Sequence, residues 1–176
     1  DIAAWEARRY QALANWPPAE TNPTVDITHY DLDLNFSLAE TTVAGTATIT
    51  LTWKNAATNL LHLDLVGLTA TSVRKASSPA LAYVQTGAGL DITVTPSPVL
   101  NEVVTIKVDY NGRSQSFYVY PSASYTFTEP NGSRYWFPCR DVPWDKATLT
   151  LHGRVPTGNI LVSNGLLTST TTAGGG

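Results

Sequence analysis

The sequence predicts an all-β domain, an antiparallel β-sandwich or saddle-like sheet preceded by a short N-terminal helix. Three observations predict it. From Thr24 onward apolar residues recur at every second position, the period of a half-buried strand. Turn-forming clusters such as Ser77-Ser78-Pro79, Gly87-Ala88-Gly89 and Pro96-Ser97-Pro98 cut the chain into short pieces. Thr, Val, Ile and Tyr are frequent, and these residues suit a pleated, half-buried surface.

Taken in order, residues 1–18 carry Ile2, Trp5, Leu13 and Trp16 at helical spacing with Arg8 and Arg9 opposite, and Pro17-Pro18 stops the helix. Residues 19–170 form a single β domain. Tyr30, Leu32, Leu34 and Phe36 share one face of its first strand, and Val43, Ala47, Ile49, Leu51 and Trp53 share one face of the second. A further strand starts at Leu61, Leu63 and Leu65, and shorter ones are expected at 72–75, 81–85, 90–95 and 103–110, the last broken by Asn111-Gly112. Tyr125–Glu129 and Arg134–Phe137 flank Pro130-Asn131-Gly132-Ser133, a hairpin signal. Alternation resumes at Ala147, Leu149, Leu151 and Val155, and a last strand pair is expected at 160–162 and 166–169. Residues 171–176 read as a Thr/Gly-rich tail or linker, with the natural chain expected to continue past it.

Composition narrows the function. A net charge of −3 gives no basic stripe for nucleic acid. No run reaches the roughly 18 apolar residues of a membrane span. One cysteine excludes an internal disulfide, and His29, His62 and His152 stand singly without the spacing of a zinc site, so no metal is expected on this chain. The chain opens on Asp1 with no signal peptide visible, and an extracytoplasmic or secreted location is the expectation if one has been removed.

Against this plain scaffold, Phe127–Ala147 is dense in charge and aromatics: Glu129, Arg134, Trp136, Cys139, Arg140, Asp141, Asp145 and Lys146. Arg134 and Asp141 suit an ion pair, since a guanidinium fork matches a carboxylate. Asp145-Lys146 reads as a loop cap or interdomain contact, and Cys139, between aromatic residues and prolines, as a packing thiol. Trp136, Phe137, Tyr135 and Trp144 would either pack under the loop or form a stacking platform for sugar or peptide.

The run from Arg134 to Leu167 resembles the end of the N-terminal β-domain of the M1 family of zinc aminopeptidases. Arg134, Trp136, Phe137, Pro138, Cys139, Asp141, Pro143, Asp145, Lys146, Ala147 and Thr148 match its motif, followed by Val155, Pro156, Gly158, Val162, Asn164, Gly165 and Leu167. Weaker likeness at His29–Leu34 and Val43–Gly45 extends it over about residues 24 to 170. The resemblance implies a parent enzyme that removes N-terminal residues from peptides. Its zinc and its catalytic residues would lie in a domain C-terminal to this one, with no catalytic residue and no cofactor in the present chain. It also implies one substrate contact here: Glu129 stands where members carry a glutamine or glutamate that binds the peptide's α-amine. Phe127 stands where many members have a second glutamine, so that contact does not carry over. A catalytically inactive M1-like scaffold or interaction module and a carbohydrate-binding β-sandwich are the alternatives.

Overall fold

The computed structural model describes residues 21, 23–76, 79–120, 123–129 and 131–171. The expected N-terminal helix and most of the 171–176 tail lie outside them. Ten strands follow one another: β1 (Val25–Ser37), β2 (Thr42–Trp53), β3 (Leu60–Asp64), β4 (Leu68–Lys75), β5 (Ala82–Gln85), β6 (Gly89–Thr93), β7 (Val103–Arg113), β8 (Phe117–Val119), β9 (Ser124–Thr126) and β10 (Thr148–Arg154). They form a five-stranded sheet in the order β10-β1-β2-β7-β4, a three-stranded sheet β3-β6-β5, and the hairpin β8-β9.

The two larger sheets close over one apolar core. Leu32, Leu34, Ile49, Leu51, Ile106 and Val108 come from the first, and Leu61, Leu63, Leu90 and Ile92 from the second, all fully buried or nearly so. β1 shows how the sequence accommodates this. Val25 and Ile27 are odd-numbered, Tyr30, Leu32 and Leu34 even, yet all are buried. A break in register between Ile27 and His29 against β2 reconciles them: one extra residue reverses the parity, so both halves face the core. Trp53 ends β2 fully buried, its indole N–H donating to the carbonyls of Asn55 at 2.8 Å and Thr58 at 3.1 Å.

Four expectations are corrected. First, the large sheet is mixed: β10 returns beside β1 in parallel, His29 opposite Thr148 through Asn35 opposite Arg154. Second, Asn111-Gly112 does not break β7. That strand lies between β2 and β4, and ladders on both sides carry it through to Arg113. Third, Asn131-Gly132 makes no hairpin. Ser124–Thr126 pairs back with Phe117–Val119, and Ser133–Tyr135 is a single 3₁₀ turn. Fourth, residues 160–162 and 166–169 form no strands. Pro156–Asn159 is a turn, closed by the Asn159 N–H on the Pro156 carbonyl at 3.1 Å with Gly158 at φ +87°, as a type II turn requires. Beyond it Leu161 folds over Gly153, where a Cβ would come within 2.1 Å of its side chain, while Ile160 and Val162 face outward, 89% and 85% exposed. No strand among the described residues pairs with this segment.

The outer face of the large sheet is held by charge. Asp109 on β7 pairs with Arg74 on β4 and accepts from the Thr46 hydroxyl on β2 at 2.6 Å, tying three strands together. The Arg74 hydrogen bond holds the Asp109 carboxyl below the usual carboxylate range. A depressed carboxyl stabilises the fold at all pH above its unfolded value, and that contribution is lost as pH falls through the folded value. Asp109→Asn is therefore expected to destabilise the domain at neutral pH. The gap from wild type should close as pH drops below the ordinary aspartate value of about 4. Urea midpoints of both proteins measured from pH 7 to pH 2 test this, and a gap constant with pH refutes it.

Candidate functional site

The segment from Phe127 to Ala147 leaves regular structure almost entirely. Its backbone groups must therefore find partners elsewhere, because a buried amide or carbonyl left unpaired is costly. Asp64, the last residue of β3, supplies three of them. Its N–H donates to the Cys139 carbonyl at 2.7 Å and its carbonyl accepts from the Cys139 N–H at 3.0 Å, a one-residue antiparallel bridge. Its side chain takes the Arg134 guanidinium on Oδ1 at 3.1 Å and the Asp141 N–H on Oδ2 at 3.0 Å. The Arg134 Nε in turn donates to Asp141 Oδ2 at 2.9 Å, and Nη2 to the Asp141 carbonyl at 3.3 Å. The expected Arg134–Asp141 pair is thus one arm of a fork, and Asp64, which nothing in the sequence singled out, is the other.

A second clamp lies along β1. Where β1 runs beyond the start of β10, no strand among the described residues lies along that edge, and two side chains bind its backbone there. Asp145 Oδ1 accepts from the Ile27 N–H at 3.1 Å, and Arg140 Nη1 donates to the Val25 carbonyl at 2.9 Å. The two bind each other, Arg140 Nε to Asp145 Oδ2 at 3.2 Å, with both side chains nearly buried. The Arg140 N–H also donates to the Tyr30 hydroxyl at 3.0 Å, and burial pushes that phenol's pKa far up, keeping it neutral. Lys146 is exposed.

The aromatic residues pack inward. Phe137 lies edge-on to Tyr30 and to Trp136, with ring centres 5.3 and 4.6 Å apart, and the Tyr110 hydroxyl donates to the Trp136 carbonyl at 3.0 Å. Cys139 is 2% exposed, and burial, aided by Asp141 and Asp64, raises its thiol pKa well above the ordinary value. It is a packing residue in a setting that opposes the thiolate. Beside Trp144, Arg140 and Asp145 lies a cleft of about 550 Å³ that also takes in Asp26 and Lys54; Glu129 does not line it.

Glu129 sits apart from both clamps. It is exposed on a turn that follows β9, closed by the Gly132 N–H donating to the Thr128 carbonyl at 2.7 Å. Gly132 is needed there for close approach: a Cβ would stand 2.8 Å from the Thr128 Cα. The structure thus separates the motif into a buried bracing set and one outward carboxylate. The histidines also stay apart. His62 pairs with Asp91, His152 with Asp31, and His29 with Thr148. Among the described residues no group of three or more His, Cys, Asp or Glu is placed to hold a metal.

Fold and site together define an all-β domain whose last third is a charge-braced loop presenting a single carboxylate. The model of the peptidase M1 N-terminal domain matches residues 27–176, and the chain belongs to that family. No curated protein matches the sequence. Among solved structures, an M1 zinc metallopeptidase from Deinococcus radiodurans is 26% identical with a TM-score of 0.79, over 86% of this chain and 37% of its own. Yeast LTA4 hydrolase in complex with bestatin is 20% identical with a TM-score of 0.62, over 82% of this chain and 26% of its own. Legionella pneumophila aminopeptidase A in complex with aspartic acid is 22% identical with a TM-score of 0.61, over 78% and 16%. The last two show the fold alone. This chain spans just over a third of the Deinococcus protein's length.

Two outcomes follow from the bracing. Arg134→Lys keeps the charge but loses the fork, and should lower stability by about 2 kcal/mol, the scale of a charged hydrogen bond; a urea midpoint unchanged from wild type contradicts the bracing role. The Cys139 thiol should react with an aromatic disulfide reagent only as fast as the domain unfolds. Rapid stoichiometric labelling of the native protein would show that it is not sealed in the core.

Proposed function

We propose that this domain is the N-terminal part of a zinc-dependent aminopeptidase, and that Glu129 holds the free α-ammonium of the peptide substrate. The observation that carries the reading is the position of Glu129. It is the exposed carboxylate of the motif segment, and the resemblance read in the sequence implies the amine contact at that residue. Asp141 and Asp145, and Asp64 from β3, are bound to Arg134, Arg140 and backbone amides.

The chemistry fits. An α-ammonium is a cation with three donors, and a fixed carboxylate binds it through charge-assisted bonds that strengthen as a closing cleft excludes water. Holding the amine at a set place also places the first peptide bond, which restricts cleavage to the chain's N-terminus and contributes by orientation. In this reading the zinc chemistry would be supplied by the remainder of the parent chain.

In the full-length parent, Glu129→Ala should lower kcat/KM for peptides with a free amine by about 10- to 100-fold, the range of one charged hydrogen bond. Unchanged kinetics would remove the assignment. The 176-residue chain alone should hydrolyse no peptide, with or without added zinc, and measurable hydrolysis by it would overturn the reading.

A further inference from the structure

Ser116 is one of only two buried polar residues among those described, the other being Ser114, and at 2% exposure it is the deeper. A hydroxyl in such a place is costly unless bonded. Ser116 is bonded on both sides of Glu129. Its carbonyl accepts from the Phe127 N–H at 2.9 Å, and its hydroxyl donates to the Gly132 carbonyl at 2.7 Å. Its own N–H donates to the Ser114 hydroxyl at 3.3 Å, which anchors it from behind. The first contact prolongs the β8–β9 ladder, in which Phe117 faces Thr126, and a residue of any type would make it. The second needs a hydroxyl. It crosses from the foot of the hairpin to the far end of the Thr128–Gly132 turn.

We propose that Ser116 is the positioning residue for Glu129, fixing the turn so that the carboxylate is held ready for the substrate amine. The inference rests on the reading of Glu129 as the amine anchor. A glutamate side chain is long and flexible, and an exposed one on an untethered turn would lose orientation before it met its ligand. Ser116 ties down the backbone on which that side chain stands, and contacts no substrate itself. Displacements of about 1 Å at a positioning group are enough to cost large factors in rate.

A double-mutant cycle in the full-length enzyme tests this, with Ser116→Ala, Glu129→Ala and the double variant assayed on a peptide with a free amine. Ser116→Ala should lower kcat/KM by about tenfold, near the upper end for a neutral hydrogen bond. The same change should have almost no effect in the Glu129→Ala background, since the two act through one contact. Ser116→Ala should also reduce the preference for a free-amine inhibitor over its desamino analogue, which a loss of stability alone leaves unmoved. Gly132→Ala keeps the hydroxyl but forces the turn to shift, and should reproduce the pattern; should Ser116→Ala not fold, that variant decides the cycle. An equal loss in both backgrounds, or no loss in either, overturns the role of Ser116. A Glu129→Ala enzyme as active as wild type instead overturns the anchor reading, so the two failures are separable.

Discussion

Asp64 is the residue on which the last third of the domain depends. Every hydrogen-bonding part of it is used: N–H and carbonyl on Cys139, one carboxylate oxygen on Arg134, the other on the Asp141 N–H. This matters because the motif segment has no ladder of its own. A strand satisfies its backbone by repetition, whereas an irregular loop must do so by individual arrangement, and each failure is costly. Asp64 sits at the end of β3, a strand with Leu61 and Leu63 fully buried in the core. The loop thus inherits the rigidity of the smaller sheet. The Val66 N–H, donating to the Arg134 carbonyl at 2.9 Å, extends the same seam by two residues.

The Arg140–Asp145 clamp does comparable work on the larger sheet by a different route. β10 lies beside β1 only from His29 onward, which leaves Val25 and Ile27 without a strand on that side among the described residues. Asp145 and Arg140 bind that edge with a side-chain acceptor and donor. Taking such a pair out of water is expensive, and attraction between the two charges repays it only when each finds further hydrogen bonds. Both do here, on the backbone of β1. The charges therefore specify where the loop meets the sheet, and so where β10 begins.

Much of the fold was legible because it rests on a two-residue period: the core faces of β1, β2, β3 and β6 follow directly from alternation. What escaped was set by partners distant in sequence. The parity reversal in β1 depends on pairing with β2, and the parallel return of β10 on a neighbour more than a hundred residues earlier. Asn131-Gly132 is a sound local hairpin signal, but Ser124–Thr126 had already taken Phe117–Val119 as its partner. At Asn111-Gly112 the same signal yielded to ladders on both sides. In the site, Arg134 and Asp141 were legible because they share one short segment. Asp64 and Ser116 were not: each is an ordinary polar residue at the end of a strand, and only the three-dimensional structure brings either to the loop.

Glu129 is exposed on a surface turn. Its significance lies in what holds that turn. On the side before it, Phe127 is bonded to Ser116 at the foot of the β8–β9 hairpin, and Phe117, the next residue, sets its ring 5.9 Å from that of Phe36 on β1. On the side after it, Gly132 is bonded to the Ser116 hydroxyl, and Arg134, two residues on, enters the fork with Asp64 and Asp141. The carboxylate is thus referred to both sheets, to the larger through the hairpin and to the smaller through the fork. A group proposed to meet a ligand cannot itself be spent on packing, so its precision has to come from neighbours that are. The concentration of arginine, aspartate and aromatic residues around Glu129 is the physical means by which an exposed side chain acquires a fixed address.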